Sequence, residues 1–283
     1  MLTVLEAIKL STEYLEKKGI ESARTNAELL LAHILNCSRL DLYLKFDQPL
    51  KQNETDQYRE YIARRGKYEP LQYITGTVDF FGLRLNVDSS VLIPRPETEL
   101  LVEIIIEQYK EIPNTKILDI GTGSGNIAIA LAKYLENSSV VSIDVNDSAL
   151  DTAKQNAGLN DVHNVEFIQK DILNNVDFRG IVFDLIVSNP PYVSSEEYEQ
   201  LQKEITEYEP RNAVTDSEDG LKFYKKISGF ASKNLTSGGK LFFEIGIGQS
   251  QAVADILREN GFTEIQIQKD YQLIDRIIYG IKQ

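Results

Sequence analysis

The spacing of apolar side chains changes along the chain and divides it into regions with different predicted structure. Near the amino terminus Leu5, Ile8, Thr12 and Leu15 follow one another every three or four residues. This period is typical of amphipathic helices, and a further such stretch runs from about residue 53 to 65. We therefore predict a small all-α domain over residues 1–75.

Two short β-rich runs follow, at 78–81 and 83–87, separated by a glycine. Runs of this kind around one turn residue predict a β-hairpin. Pro94 and Pro96 come next and stiffen the chain. Residues 76–96 are therefore predicted to form a hairpin and a proline-rich linker.

In residues 97–283 short apolar runs alternate with helix-like segments. Such alternation predicts an α/β fold with a mostly parallel, doubly wound sheet that helices cover on both faces. A last apolar run near 240–245 precedes a predicted helix at 251–259 and two closing strands. The earlier predicted strands are 117–120, 140–143, 165–168 and 185–188, and the closing strands are 265–268 and 276–281.

Composition narrows the chemistry. The chain has 283 residues, 30 Lys plus Arg against 43 Asp plus Glu, and a formal net charge of −13. This charge disfavours tight binding to a polyphosphate backbone, so we expect no DNA partner. One cysteine, Cys37, and two histidines, His33 and His163, leave few residues for a metal site, and we expect none.

The chain shows no apolar run approaching the roughly 20 residues of a membrane span. Its first residues also lack the basic start and the small-residue cleavage site of a signal peptide. We therefore expect no membrane partner and a cytoplasmic location.

A glycine-rich loop lies between the predicted strand at 117–120 and a predicted helix that begins at Ile127. Its glycines let the backbone approach a ligand, and the first N–H groups of the helix are free donors. Asn126 stands where a dinucleotide fingerprint has its third glycine, so the loop fits a nucleoside cofactor without a pyrophosphate better than NAD. An ordinary glycine-rich turn is the alternative. The loop residues are Gly121, Thr122, Gly123, Ser124 and Gly125.

Acidic residues follow the next two predicted strands. Asp144 comes some twenty residues after the glycine loop, where a carboxylate can accept hydrogen bonds from ribose hydroxyls. Lys170, Asp171 and Ile172 occupy the corresponding position after the third strand, where a side chain can cover an adenine. Capped turns are the alternative interpretation of both positions.

Asn189-Pro190-Pro191-Tyr192 directly follows the fourth predicted strand. Consecutive prolines remove backbone donors and fix φ, which leaves nearby carbonyls free to accept hydrogen bonds. A planar NH2 group lying over Tyr192 can donate one hydrogen to the Asn189 side chain and the other to the Pro190 carbonyl. The tetrapeptide therefore predicts recognition of an amide or an exocyclic amine, and a rigid Pro-Pro turn is the alternative.

The glycine loop and this tetrapeptide together resemble Rossmann-like S-adenosylmethionine-dependent methyltransferases that modify planar nitrogen. More narrowly, the chain resembles the release factor glutamine methyltransferases, the PrmC or HemK family, over nearly its whole length. The discriminating stretch is Ile93-Pro94-Arg95-Pro96-Glu97-Thr98-Glu99, with further similarity in Gln72-Tyr73-Ile74-Thr75-Gly76, Phe80-Phe81-Gly82 and Phe243-Glu244-Ile245-Gly246.

The resemblance implies a role for each motif. The five residues of the glycine loop, Asp144 and Asn189 would hold S-adenosylmethionine, and Ile172 would lie against its adenine. Asn189, Pro190, Pro191 and Tyr192 would form the catalytic and substrate-binding set for the glutamine of the Gly-Gly-Gln loop of class I peptide-chain release factors. The helical domain would recognise that protein substrate. Several relatives have a bulkier aromatic residue at the position of Ile172.

Other functions share parts of this pattern. An adenine-N6 DNA methyltransferase has the same two motifs but needs a basic path for phosphates. A non-catalytic cofactor-binding module explains the glycine loop and leaves Asn189 and Tyr192 without a role. A dinucleotide oxidoreductase conflicts with the glycine spacing.

Overall fold

The computed structural model describes residues 2–174, 176–178 and 180–283, which divide into two compact units. The first unit is Met1–Thr77 with Gln202–Tyr208, and the second is Val78–Leu201 with Glu209–Gln283. The segment Gln202–Tyr208 therefore belongs to the first unit, although it lies within the predicted domain at 97–283.

The secondary structure follows the predicted order. The helices are α1 Val4–Lys17, α2 Ala23–Ile34, α3 Asp41–Leu44, α4 Gln52–Arg65, α5 Leu71–Thr75, α6 Pro96–Tyr109, α7 Asn126–Tyr134, α8 Asp147–Leu159, α9 Ser195–Tyr198, α10 Lys203–Tyr208, α11 Arg211–Val214, α12 Lys222–Asn234 and α13 Ser250–Glu259. The strands are β1 Thr77–Phe80, β2 Leu83–Asn86, β3 Lys116–Ile120, β4 Ser139–Asp144, β5 Val165–Gln169, β6 Phe183–Ser188, β7 Leu235–Glu244, β8 Phe262–Lys269 and β9 Asp275–Lys282.

The first unit packs its helices around one apolar core. Leu15, Leu30, Leu31 and Leu42 are almost completely buried in it. Tyr58 is also buried, and its hydroxyl donates a hydrogen bond of 3.0 Å to the Ala27 carbonyl, so the polar end of the ring is satisfied. Ile8 and Leu15 of the predicted helical period lie in this core, whereas Leu5 is 53% exposed.

Strands β1 and β2 form the predicted hairpin, whose turn residues Phe81 and Gly82 both have positive φ, at 48° and 74°. Two consecutive positive φ values match the twist of a two-residue hairpin turn. The side chain of Glu99 on α6 accepts a hydrogen bond of 2.8 Å from the Phe81 backbone N–H, which ties the turn to α6.

The second unit contains a seven-stranded sheet in the order β5-β4-β3-β6-β7-β9-β8. Neighbours from β5 to β7 are parallel, whereas β9 pairs antiparallel with both β7 and β8. Apolar side chains alternate between the two faces: Ile117 and Leu185 pack with α6 and α7, and Leu118 and Ile186 pack with α12 and α13. The predicted doubly wound α/β fold is confirmed.

The strand order reverses direction at β3, and this reversal leaves a crevice between the ends of β3 and its neighbours. The chain leaves β3 in one direction toward β4 and β5, and later returns to the other side of β3 as β6. Ligands of open α/β sheets bind at such a switch point, outside the carboxyl ends of the strands. The glycine loop follows β3 and Asn189 follows β6, so both lie at this end of adjacent strands.

Within the described residues, none of the helices combines the length and the apolar character that crossing a membrane requires.

Candidate active site

A cavity of about 310 Å³ opens at the switch point of the sheet. Seven of the residues predicted to form the site line it: Gly121, Gly123, Asp144, Ile172, Asn189, Pro190 and Pro191. Residues that the sequence analysis did not assign to the site complete the wall, among them Ser90, Val91, Leu92, Asn146, Ala149, Asn212, Phe223 and Ile227. The two principal motifs therefore face one shared space.

The glycine loop presents bare backbone to this cavity. A Cβ atom added to Gly123 would meet nothing within 4 Å, and one added to Gly121 would lie 4.0 Å from the carbonyl oxygen of Asn189. Both residues have positive φ, which disfavours side chains at these positions. The loop thus allows a ligand to approach its backbone while standing next to the Asn189 segment.

Asp144 fixes the loop and still faces the cavity. Its Oδ2 accepts a hydrogen bond of 2.9 Å from the Gly123 N–H, and its Oδ1 accepts one of 2.9 Å from the Asn146 N–H. A carboxylate oxygen can accept more than one hydrogen bond. Asp144 can therefore hold the loop and receive two hydroxyl donors of a ligand at the same time.

The other loop residues lie away from the cavity. The Thr122 hydroxyl forms a hydrogen bond with the Ser142 hydroxyl, and Ser124 is buried. A Cβ atom on Gly125 would come within 2.7 Å of Ile129 Cδ1 and 3.0 Å of Ala153 Cβ. Gly125 is thus required for close packing against α7 and α8, and the predicted cofactor contacts of these three residues stay predictions.

A buried acid lies beneath the loop. Asp119 is completely buried near the carboxyl end of β3, and its Oδ2 accepts a hydrogen bond of 2.6 Å from the Ser142 hydroxyl. Burial, aided by the charge of Asp144, raises the pKa of Asp119 to about 7, although the hydrogen bond from Ser142 acts in the opposite direction. Proton uptake by Asp119 is therefore coupled to folding near neutral pH.

The segment after β5, which contains Asp171 and Ile172, forms a turn and also lines the cavity. A turn was the alternative interpretation of this position. Asp171 Oδ1 accepts a hydrogen bond of 2.9 Å from the Leu173 N–H, which is an Asx-type turn. Ile172 is 6% exposed, and both residues border the cavity. A turn role and a ligand role are thus compatible here.

Asn189 is held by a chain of hydrogen bonds that leads into the core. Its Nδ2 donates to Thr98 Oγ1 at 3.2 Å, and the Thr98 hydroxyl donates to Glu244 Oε2 at 2.6 Å. The amide oxygen Oδ1 is then the end of the side chain left for a ligand. Tyr192 does not line the cavity, and its hydroxyl donates to Glu244 Oε1 at 3.3 Å.

Glu244 is 1% exposed at the end of β7. Burial raises the pKa of its carboxyl group to about 7, although the hydrogen bonds from Thr98 and Tyr192 and the charge of Arg276 act in the opposite direction. Burial also raises the pKa of Tyr192 well above its ordinary value. Tyr192 therefore stays protonated and is a donor toward Glu244.

The stretch from Pro94 to Glu99 places Thr98 in this chain. Arg95 Nη2 lies 2.7 Å from Glu209 Oε1, and Pro96 begins α6. Proline suits the first helical position because its missing N–H has no partner there. The motif that carries the resemblance thus fixes the start of α6 and places Thr98 in contact with Asn189.

In the described part of the chain, no group of three or more His, Cys, Asp or Glu side chains is arranged to hold a metal ion.

Two family models match the chain. The model of the PrmC N-terminal domain matches residues 6–76, and that of a methyltransferase domain matches residues 112–271. Similarity to curated proteins extends over nearly the full length. The release factor glutamine methyltransferase of Fusobacterium nucleatum is 42% identical over 98% of this chain and 78% of the relative. That of Geobacter sulfurreducens is 41% identical over 98% of this chain and 96% of the relative.

The chain belongs to the release factor glutamine methyltransferase family. The resemblance drawn from the sequence motifs is therefore confirmed. Solved structures agree on the fold: a methyltransferase from Pyrococcus furiosus is 18% identical, with a TM-score of 0.53 over 82% of this chain and 99% of that chain.

Some residues of this candidate site had no assigned role in the sequence analysis. Glu244 carried a signal, because a single charged residue stood within the apolar run from Leu241 to Ile245. The Ser90 to Leu92 segment and the wall residues Phe223 and Ile227 carried none, because apolar side chains in a cavity wall and in a core look alike in sequence.

Proposed function

We propose that this chain transfers the methyl group of S-adenosylmethionine to the side-chain amide nitrogen of a glutamine, the one in the Gly-Gly-Gln loop of class I peptide-chain release factors. The observation that carries this proposal is the shared cavity. A loop suited to a nucleoside cofactor and an Asn-Pro-Pro segment suited to an amide face one space, with Gly121 beside the Asn189 carbonyl. Family membership supports the identity of both ligands.

The residues present fit the cofactor. Gly121 and Gly123 leave room for it, Asp144 has acceptor capacity for the ribose hydroxyls, and Ile172 offers an apolar surface for the adenine. The cofactor supplies a methyl group on a positively charged sulfonium. Ile172 contributes dispersion contacts without ring stacking, so adenine binding here depends more on shape than on an aromatic partner.

Asn189 and Pro190 orient the substrate amide. The lone pair of a carboxamide nitrogen is delocalised into its carbonyl, which makes the nitrogen a poor nucleophile. Asn189 Oδ1 and the Pro190 carbonyl each accept one N–H of the substrate and hold the nitrogen in one orientation. Such positioning accounts for much of the acceleration in reactions between two bound partners.

The same acceptors stabilise the transition state. Positive charge grows on the substrate nitrogen as it gains the methyl group, so carbonyl dipoles aimed at that nitrogen bind the transition state more strongly than the ground state. The extra proton leaves to water afterwards. This route needs no strong base before transfer, and the acceptors that it needs are the ones supplied by Asn189 and Pro190.

The grip on NH2 does not by itself distinguish glutamine from adenine. The net charge of −13 disfavours nucleic acid, because affinity for a polyphosphate backbone depends mainly on cationic side chains. We assign recognition of the protein substrate to the helical residues 1–75, which match the PrmC N-terminal model over most of their length. A release-factor substrate also implies a cytoplasmic reaction, with no membrane partner.

The decisive experiment offers two substrates to the purified chain. Labelled S-adenosylmethionine is incubated with a class I release factor or with duplex DNA, and mass spectrometry locates the label. We expect methylation of the Gly-Gly-Gln glutamine alone. A release factor with glutamate in place of that glutamine should stay unlabelled, because the accepting nitrogen is absent. Methyl transfer to adenine, or to another residue of the release factor, would overturn the proposal.

A further inference from the structure

Glu244 is a buried acid for which packing gives no reason. Its side chain is 1% exposed, and its partners are the hydroxyls of Thr98 and Tyr192. Over the residues that the structure describes, Glu244 forms no ion pair, and the nearby Arg276 is bonded to Asp270 at 3.0 Å. Burying a carboxylate without a bonded cation is unfavourable, and an apolar or amide side chain would fill the same space at lower cost.

The hydrogen bonds around Glu244 have a fixed direction. An ionised carboxylate only accepts, so the single proton of the Thr98 hydroxyl points toward Glu244 Oε2, 2.6 Å away. Thr98 Oγ1 can then only accept from Asn189. The Asn189 amide must therefore turn its Nδ2 toward Thr98, at 3.2 Å, and its Oδ1 the other way.

This direction matters for a substrate that carries NH2. An Asn side chain can rotate by half a turn with little change in shape, and the rotated form would offer two donors where the substrate needs an acceptor. We propose that Glu244, acting through Thr98, is a positioning residue that selects the rotamer of Asn189 in which Oδ1 is available to the substrate amide. This inference rests on the proposed function for the identity of the substrate, and Glu244 itself does not line the cavity.

The hydroxyl of Tyr192 indicates how the side chain of a glutamine at position 244 would be oriented. This hydroxyl donates at 3.3 Å to Oε1, and a glutamine that keeps this hydrogen bond has its carbonyl oxygen at that place. The NH2 group of the glutamine would then face Thr98 and donate to it. The Thr98 hydroxyl would then donate its hydrogen bond to Asn189. The Asn189 side chain would rotate to accept that bond with Oδ1 and would present its NH2 to the substrate.

Protonation of Glu244 has the same consequence, because a proton on Oε2 also donates to Thr98. The charged and titratable groups that face Glu244 are Glu97 on α6, Arg276 on β9 and the phenols of Tyr192 and Tyr224. With these neighbours present, burial raises the pKa of Glu244 to about 7. Since the pKa is raised, the ionised, selecting form prevails above that pH and is lost below it.

The kinetic test compares Glu244→Gln and Thr98→Val with Thr98→Ser, using Glu103→Gln as the matched control because Glu103 is exposed on α6. We expect kcat with a release factor to fall roughly ten- to hundredfold in the first two variants, the range for one misplaced hydrogen bond. Thr98→Ser keeps the hydroxyl and should retain most of the activity. The Kd of the cofactor should change less than about twofold in all four variants, because Glu244, Thr98 and Glu103 do not line the cavity.

The pH profile separates positioning from a merely structural role. In the wild-type protein kcat should rise with pH through about 7, following ionisation of Glu244. Glu244→Gln should be slow and lack this rise. A wild-type kcat in Glu244→Gln, or an unchanged pH profile in that variant, would overturn the inference.

A substrate-free measurement keeps this result distinct from failure of the proposed function. The side-chain NH2 signals of Asn189 are assigned by their absence in Asn189→Asp and followed by nitrogen-15 NMR as pH is varied. We expect them to shift through about pH 7 in the wild-type protein and to be insensitive to pH in Glu244→Gln and in Thr98→Val. Asn189 signals that ignore pH in the wild-type protein would refute the inference, whichever substrate the enzyme methylates.

Discussion

Asp144 offers a quantitative test of the cofactor site. Its two carboxylate oxygens each accept one backbone N–H, from Gly123 and Asn146, both at 2.9 Å. The substitution Asp144→Ala removes these two hydrogen bonds together with the acceptors for the ribose hydroxyls. We therefore expect the variant to lose the proposed ribose contact and to loosen the glycine loop.

The size of the effect follows from the chemistry of the contact. A hydrogen bond to a charged group contributes about 1.5–3 kcal/mol, so Asp144→Ala should raise the Kd of S-adenosylmethionine by about 10- to 150-fold. The backbone N–H groups that lose Asp144 lie beside an open cavity and can bond to water. The loop therefore contributes less to the change than the ribose does.

Calorimetry with two ligands separates these contributions. S-adenosylhomocysteine and an analogue without ribose hydroxyls are titrated into the wild-type protein, Asp144→Ala and the exposed control Asp147→Ala. The analogue should bind the wild-type protein and Asp144→Ala with similar affinity, because it lacks the ribose hydroxyls whose hydrogen bonds Asp144 would accept. Equal weakening of both ligands by Asp144→Ala would show that Asp144 only holds the loop and that the ribose assignment is wrong.

Four further substitutions test other parts of the site. Asn189→Ala should abolish turnover, measured with labelled cofactor, while calorimetry shows cofactor affinity nearly unchanged. Gly125→Ala should lower stability by about 1–3 kcal/mol, because its Cβ would come within 2.7 Å of Ile129 Cδ1. Gly123→Ala, whose Cβ meets nothing but whose φ is 53°, should weaken cofactor binding and cost less stability than Gly125→Ala. Asp119→Asn should stabilise the protein at pH 8 but not at pH 4 in denaturant titrations. The pKa of Asp119 rises from 3.8 to about 7 on folding, so the stability of the wild-type protein declines as pH rises through this window.

The sequence was sufficient for the fold because the period of its apolar residues reports directly on burial. Ile117 and Leu118 face opposite sides of the sheet and are both buried, which is why consecutive apolar residues mark β3 in the sequence. The helix α12 was not predicted. Its amphipathic residues follow the short helices α9, α10 and α11, whose turns obscure where a longer helix begins.

Within the glycine loop, the sequence could not separate residues that face a ligand from residues that pack. Gly123 and Gly125 have the same side chain and similar positive φ, yet one borders the cavity and the other contacts α7 and α8. The difference depends on where Ala153 of α8 lies, twenty-eight residues further along the chain. Local motifs therefore predict that a loop is special without telling which of its atoms meet a ligand.

The register of two strands explains why the Asn-Pro-Pro-Tyr motif alone does not specify the site. In the parallel pair β6 and β7, Ser188 lies opposite Phe243, so the next residues along each strand are Asn189 and Glu244. Thr98 enters between them from the first turn of α6, which the proline at position 96 starts. A shift of one residue in this register would move Glu244 to the opposite face of the sheet, leaving Thr98 free to donate to Asn189. The direction of the Asn189 amide is thus a property of the sheet pairing, set by residues ninety-one positions before it and fifty-five after it.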